Sequence, residues 1–159
     1  MGDSPLFNPN PRWPDVLKDR RIYPFSTQIP VRFQDLDPNH HVNNVAVVAM
    51  FEEARYRFGV VVREQEFSPI YGIVTAAQEL HYVAESFHGP PLSFHIGVGY
   101  IGSRSWRLWA AGYQNEKCVA LCDSTLAMGR MPAGETAMPD ALRKLLSSMR
   151  IKPDAAACG

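Results

Sequence analysis

Apolar and polar residues alternate through Phe25, Thr27, Ile29, Val31 and Phe33, with Ser26, Gln28, Pro30 and Arg32 between them. A period of two predicts a half-buried strand, and Pro30 puts it at an edge or a bulge. A polar loop over residues 34–43 breaks the pattern. The period then lengthens: Val47, Phe51, Ala54 and Phe58 fall at i, i+4, i+7 and i+11, one face of a helix over residues 44–58. Asn43 or Asn44 can cap it. Gly59 either ends the helix or marks a bend, since Val60 and the residues up to Glu64 can continue it.

Residues 71–84 read as one long strand, stopped by His88-Gly89-Pro90-Pro91. Leu92, Phe94, Ile96, Val98 and Tyr100 alternate strictly. Gly102-Ser103 turns the chain, Trp106, Leu108 and Ala110 alternate again, and Asn115-Glu116-Lys117 makes the next turn. Residues 119–131 form the last strand. The four strands predict a consecutive antiparallel meander. After a loop, Pro139 starts a closing helix with Leu142, Leu145, Leu146 and Met149 at i, i+3, i+4 and i+7. Strand, long helix, four strands and short helix argue an α+β fold with the helix on one face of the sheet.

The 159-residue length, with 46% hydrophobic residues, fits a single folded domain. Five of the 13 prolines lie in residues 1–24, which predicts an irregular N-terminal arm with a helical turn after Pro14. The domain proper is expected over 25–151 and a flexible tail over 152–159. The 16 Lys and Arg balance the 16 Asp and Glu, which excludes chain-wide attraction to nucleic acid or an anionic membrane. No apolar run approaches the ~18 residues of a membrane span. The start has no basic, apolar leader, and the odd three cysteines form no CxxC pair, so a reduced, cytoplasmic setting is expected.

Several motifs carry little. Gly97-Val98-Gly99-Tyr100-Ile101-Gly102 matches GxGxxG, but a dinucleotide site needs a helix next and a strand follows, so close backbone approach is expected instead. Cys118 and Cys122, four apart in a strand, are expected on one face as plain thiols. No GxSxG elbow occurs. His40 and His41 point apart in an extended loop and should share no metal.

The segment Phe33-Gln34-Asp35-Leu36-Asp37-Pro38-Asn39-His40-His41-Val42-Asn43-Asn44 is different. It packs two carboxylates, two imidazoles and three amides between a strand and a helix. One reading is a hydrogen-bonded turn with a capping Asn. The other is chemical. The first N–H groups of a helix have no intrahelical partner, and with the helix dipole they can hold a developing oxyanion. Asp37 lies just upstream as a base or nucleophile. Carboxylate plus oxyanion donors is a minimal acyl-transfer apparatus. Asp35, two residues away, is expected on the same side in an extended segment.

This stretch, followed by the helix with Phe51-Glu52-Glu53-Ala54-Arg55, resembles the hotdog-fold thioesterases of the 4-hydroxybenzoyl-CoA thioesterase type. Its DxDxxxHVNN pattern also resembles the fatty acyl-ACP thioesterases, and the likeness extends loosely over residues 29–146. The resemblance implies an antiparallel sheet wrapped around a central helix. It implies a homodimer or homotetramer paired through its sheets, with active sites at the dimer interface. The activity implied is hydrolysis of acyl-CoA, or alternatively acyl-ACP, in fatty acid metabolism, without metal or organic cofactor. A non-catalytic acyl-CoA-binding protein of the same fold is the rival of another class.

By position, Asp37 matches the catalytic carboxylate and Asn44 the helix-start residue whose N–H polarises the thioester carbonyl. Asn39 and His41 match the Asn and His of the acyl-ACP branch. Glu79, Glu85 or Ser103 are candidates to join from a neighbouring strand. For the acyl pocket the candidates are Val48, Phe51 and Tyr56 from the helix, with Trp106 and Trp109 from the strands. For the CoA phosphates they are Arg104, Arg107 and Arg130.

Overall fold

The structure, a computed structural model, describes residues 13–64 and 72–156. The helix α1 (Asn44–Glu64) runs on through Gly59. At ~1.5 Å per residue it is ~30 Å long. Its face of Val47, Phe51, Ala54 and Phe58 is buried, as the period requires. Five strands receive it: β1 (Phe25–Ile29), β2 (Gly72–Tyr82), β3 (Leu92–Ile101), β4 (Ser105–Gln114) and β5 (Lys117–Arg130). All pairings are antiparallel, in the order β1-β3-β4-β5-β2. The closing helix α2 (Asp140–Ser148) buries Leu142 and Leu146 in the same core. This is the α+β hotdog arrangement. Among the described residues no helix is long and apolar enough to cross a membrane.

The topology corrects the expected four-strand meander. Only β3, β4 and β5 follow one another; β2 pairs with β5 at the far edge, and β3 lies beside β1. Alternation tells which face a strand buries, not which neighbour it takes. The chain crosses between the two edges through residues 83–91. The buried Gln114 side chain secures that crossing, accepting the Phe87 N–H at 2.8 Å and donating to the carbonyls of Phe87 and Pro90. Position 71 lies outside the described residues.

The segment expected as an arm outside the domain is, from Trp13 onward, part of it. Two 3-10 turns, Asp15–Lys18 and Arg20–Ile22, lay Trp13, Leu17, Ile22 and Tyr23 over the outer face of the sheet, against Trp109, Ala111, Tyr113 and Leu121. Trp13 stacks on His81 and meets Trp109 edge-on. The Tyr23 and Tyr113 hydroxyls donate to the Leu17 and Lys18 carbonyls, both at 2.6 Å. The expected flexible tail is likewise pinned where it is described. The Lys152 N–H donates to the Ile22 carbonyl, and Pro153–Ala156 forms a 3-10 turn. Residues 1–12 and 157–159, with Cys158, lie outside the described residues.

Two local irregularities explain further departures. The register shifts between Val98 and Tyr100, so Tyr100 turns out to solvent and Ile101 turns in. Gly99 sits under the Trp109 ring, where a Cβ would stand 1.9 Å from the indole nitrogen. The GxGxxG match is thus a strand making room for an aromatic ring. A second shift, where Gly112 opposes Ala120 but Tyr113 opposes Cys118, leaves Val119 as an extra residue in β5. That bulge puts Cys118 on the outer face with Tyr113 and Cys122 on the helix side, correcting the one-face expectation. Burial pushes both thiols up to about 11.

These contacts set opposite outcomes for two glycines. Gly99→Ala should lower unfolding free energy by about 1–3 kcal/mol, because Trp109 must move. Gly59→Ala, with nothing within 4 Å of the added Cβ, should raise it by ~0.5–1 kcal/mol. Urea denaturation of the two variants checks both signs.

Candidate active site

The segment between β1 and α1 is not extended. Residues Phe33–Asp35 form a 3-10 turn. A second turn follows, in which the Asp37 N–H donates to the His41 carbonyl at 2.8 Å and the His40 N–H to the Asp37 carbonyl at 3.0 Å. His40 takes the left-handed φ of 62° at its tip. The Asp37 carboxylate closes this turn: Oδ1 accepts the N–H groups of Asn39 (2.8 Å) and His41 (3.0 Å). No contact of Oδ2 is recorded among the described residues.

The two aspartates therefore part company. Asp35 is buried, and its carboxylate binds the Arg32 guanidinium at 2.8 Å and the Arg32 N–H at 2.8 Å. The Arg32 side-chain hydrogen bond holds its pKa below the ordinary carboxylate range, against burial. Its carbonyl accepts the Asn43 N–H at 2.8 Å, tying the turn to the helix start. The shared side expected for Asp35 and Asp37 is lost because the turn between strand and helix rotates one inward.

Asn43 is the cap: its Oδ1 accepts the Val45 N–H at 2.8 Å. Asn44 is the first helical residue. Its carbonyl accepts the Tyr82 hydroxyl at 3.1 Å, and its own N–H has no recorded partner among the described residues. The helix start is held from the other side by the crossing segment, where the Val42 N–H donates to the Ser86 carbonyl at 2.8 Å and His41 bridges Phe87. That bridge brings Glu85 to His41, with Oε1 3.5 Å from Nδ1, and sets the Phe87 ring edge-on to the imidazole at 5.1 Å.

Asp37, His41, Asn44, Tyr82, Glu85 and Ser86 thus line one pocket of ≈ 360 Å³ at the N-terminus of α1. It offers a carboxylate oxygen and a helix-start N–H that have no partner among the described residues, with an imidazole beside a second carboxylate, at the positive end of a helix dipole. Tyr82 and Glu85 gain their place only through the crossing of residues 83–91, which no local pattern announces.

The other candidates are placed elsewhere. Asn39 is exposed, and only its backbone joins the Asp37 turn. Glu79 lies on the outer face opposite Asp123, and Ser103 belongs to the turn before β4. Phe51 is core, 4.8 Å edge-on to Phe94. Trp106 faces the helix side under the other half of α1. Trp109 faces the opposite side of the sheet, which removes it from any pocket shared with α1, because residues three apart in a strand point to opposite faces. Arg107 pairs with Asp123 and lies over the Trp109 ring. Arg104 is exposed and donates to the Met128 carbonyl. Neither arginine lines the Asp37 pocket. Among the described residues no three His, Cys, Asp or Glu come together as a metal site.

Comparison with known proteins agrees with this fold. A predicted thioesterase from Bacillus stearothermophilus superposes with a TM-score of 0.72 at 24% identity, covering 81% of this chain and 98% of that one. A thioesterase from Thermus thermophilus, solved with coenzyme A and Zn, gives 0.67 at 25% identity over 80% and 95% of the two chains. A thioesterase-superfamily protein from a Jannaschia species gives 0.70 at 20% identity over 80% and 83%. No curated protein matches the sequence significantly. The family model described as the thioesterase-like superfamily matches residues 31–146, from just after β1 into α2, and the chain belongs to that superfamily.

Proposed function

We propose that the protein hydrolyses acyl-CoA thioesters at the pocket under the start of α1. The observation that carries this reading is the joint presence there of the Asp37 carboxylate, His41 and the Asn44 N–H, which has no partner among the described residues. With Oδ1 engaged by two N–H groups, Oδ2 takes a proton from water as its oxygen attacks the thioester carbonyl carbon. The carbonyl oxygen gains the charge, which the Asn44 N–H and the helix dipole stabilise. Collapse of the tetrahedral intermediate breaks the C–S bond. The thiolate leaves without much help, because a thiol pKa is ~8.5. Acid and CoA are the products, and His41, steadied by Glu85, orients the water. Attack by Asp37 itself, through an anhydride, uses the same groups. Coenzyme A bound to the Thermus protein supports CoA over a carrier protein as the leaving group.

The same reading includes a homodimer. The outer edge of β2 has no partner strand among the described residues, and an open edge invites pairing. Antiparallel pairing of two β2 edges brings the Gly72 end of one copy beside the Tyr82 end of the other. Each Asp37 pocket is then bordered by the partner subunit. Arg104, which has no acidic partner among the described residues, is the better candidate for a CoA phosphate, since Arg107 is committed to Asp123.

Asp37→Asn should cut turnover of a medium-chain acyl-CoA by at least ~10²-fold, the lower end for a positioned acid–base group, with circular dichroism unchanged. Near-normal turnover by the folded variant would move the binding-protein reading to first place. Asp35→Asn should act on stability, costing about 1–3 kcal/mol at neutral pH with little change in turnover per folded molecule. Because the folded pKa of Asp35 is depressed, its stabilisation is present above the unfolded value of ~3.9 and is lost as pH falls through the lower folded value. The deficit of the variant should therefore shrink below about pH 4. Light scattering at micromolar concentration should give a dimer or larger, and a monomer would remove the shared site.

A further inference from the structure

A second cavity lies under the C-terminal half of α1. Phe58, Trp106, Leu108, Leu126, Leu142 and Leu146 wall it, and its volume is ≈ 150 Å³. A cavity of that order holds one ring-sized group. Purely apolar walls would make it an ordinary packing defect, but Glu52, Arg55, Tyr56 and Thr75 also line it. The Arg55 side chain is only 9% exposed. Its Nη1 donates to Gln78 Oε1 and to Ser124 Oγ, both at 3.0 Å, and Nη2 pairs with Glu52, whose carboxylate is itself 65% exposed. Burial lowers the pKa of Arg55, the direction expected of a desolvated guanidinium. Beside it, Gln78 Nε2 is buried with no hydrogen-bond partner among the described residues, leaving the Cys122 sulphur as its weak neighbour. The adjoining void by Phe51, Cys122 and Ser124 is ≈ 10 Å³, room for at most one water. Arg55 meets three acceptors, the Glu52 carboxylate among them, while the Gln78 Nε2 donor is left over, and a buried donor without a partner is costly.

We propose that this cavity receives an acyl group bearing an acceptor oxygen (hydroxyl, oxo or carboxylate), which the Arg55 side chain binds. Arg55 then selects polar-substituted acyl groups over plain alkyl ones. Within one protomer the cavity is cut off from the Asp37 pocket. Arg55 stands eleven residues beyond Asn44, ~16 Å along the helix, and the fully buried Phe51 lies between. Ile73 and Thr75, at the start of β2, border the cavity, and Tyr82, at its end, borders the Asp37 pocket. Antiparallel pairing of β2 edges joins one copy's Asp37 pocket to the partner's cavity. The substrate class thus rests on the thioesterase and dimer readings above, whereas the cavity's preference for an acceptor does not.

The test uses two probes of similar shape, cyclohexanone and methylcyclohexane, added to the full chain and followed by NMR. Cyclohexanone should shift the Arg55 guanidinium N–H and the Trp106 indole N–H, whereas methylcyclohexane should shift only the latter. Arg55→Met should weaken cyclohexanone binding about tenfold or more, the scale of a hydrogen bond to a charged group, and leave methylcyclohexane binding unchanged. Absence of cyclohexanone binding, or equal Arg55 shifts from both probes, overturns the inference in the wild-type protein alone. So does an equal loss of both probes in a folded Arg55→Met protein. Hydrolysis of levulinoyl-CoA against pentanoyl-CoA then tests the substrate class, with kcat/KM expected about tenfold higher for the oxo acyl group. Turnover of neither removes the thioesterase reading while the probe result still decides the cavity. Equal turnover of both overturns the selectivity.

Discussion

Everything at the pocket depends on the burial of one stripe of α1 in the concave face of the sheet. Val47, Phe51, Ala54 and Phe58 are the stripe, and Phe94, Ile96, Leu108 and Ala110 are among the residues that meet it. Each large side chain removed from water is worth roughly 1.5–3 kcal/mol, enough to hold the helix in register along its length. A helix so held has a fixed start. Asn44 therefore stands over Tyr82, and the unspent N–H of the first turn is presented at one place.

The turn that carries Asp37 is held to that start by several independent bonds. Asp35 reaches Asn43, Val42 reaches Ser86, and His41 bridges Phe87. Asp37 contributes to this rigidity with one carboxylate oxygen while the other stays available. The bland reading of the segment, a hydrogen-bonded Asx turn, and the chemical one are therefore not exclusive. Closing the turn is what orients the carboxylate, and the proposed hydrolysis would draw on positioning of this kind.

The opposite face of the sheet is occupied by the chain's own beginning and end. Trp13, Leu17 and Tyr23 cover Trp109, Tyr113 and Leu121, and the Ile151 and Lys152 backbone ties the C-terminal segment to β3 and to Ile22. The small residues of β3 belong to this layer. Gly97 makes room for Pro24 and Ile151, and Gly99 for Trp109. The pattern that looks like a nucleotide loop thus serves a second hydrophobic layer, and it pushes Tyr100 out to solvent.

Local periodicity was enough to locate the central helix and its buried face, each strand (though β1 stops at Ile29, short of Val31 and Phe33), the closing helix, and the one segment dense in chemistry. These are properties of neighbours in the chain, where face and period follow from backbone geometry. What it did not carry was any partnership between distant residues. The place of β2 beside β5, the folding of residues 13–24 onto the sheet, and the bulge that separates Cys118 from Cys122 all depend on which backbone groups pair. The same holds for the site. Asp37, His41 and Asn44, which the proposed site joins, could be named together from the sequence because they lie within eight residues of one another. Glu85 was one of three candidates from elsewhere in the chain, but its pairing with His41, like Arg55 among Gln78 and Ser124, was not legible, because only the chain's crossing and the closure of the sheet over α1 bring such residues together.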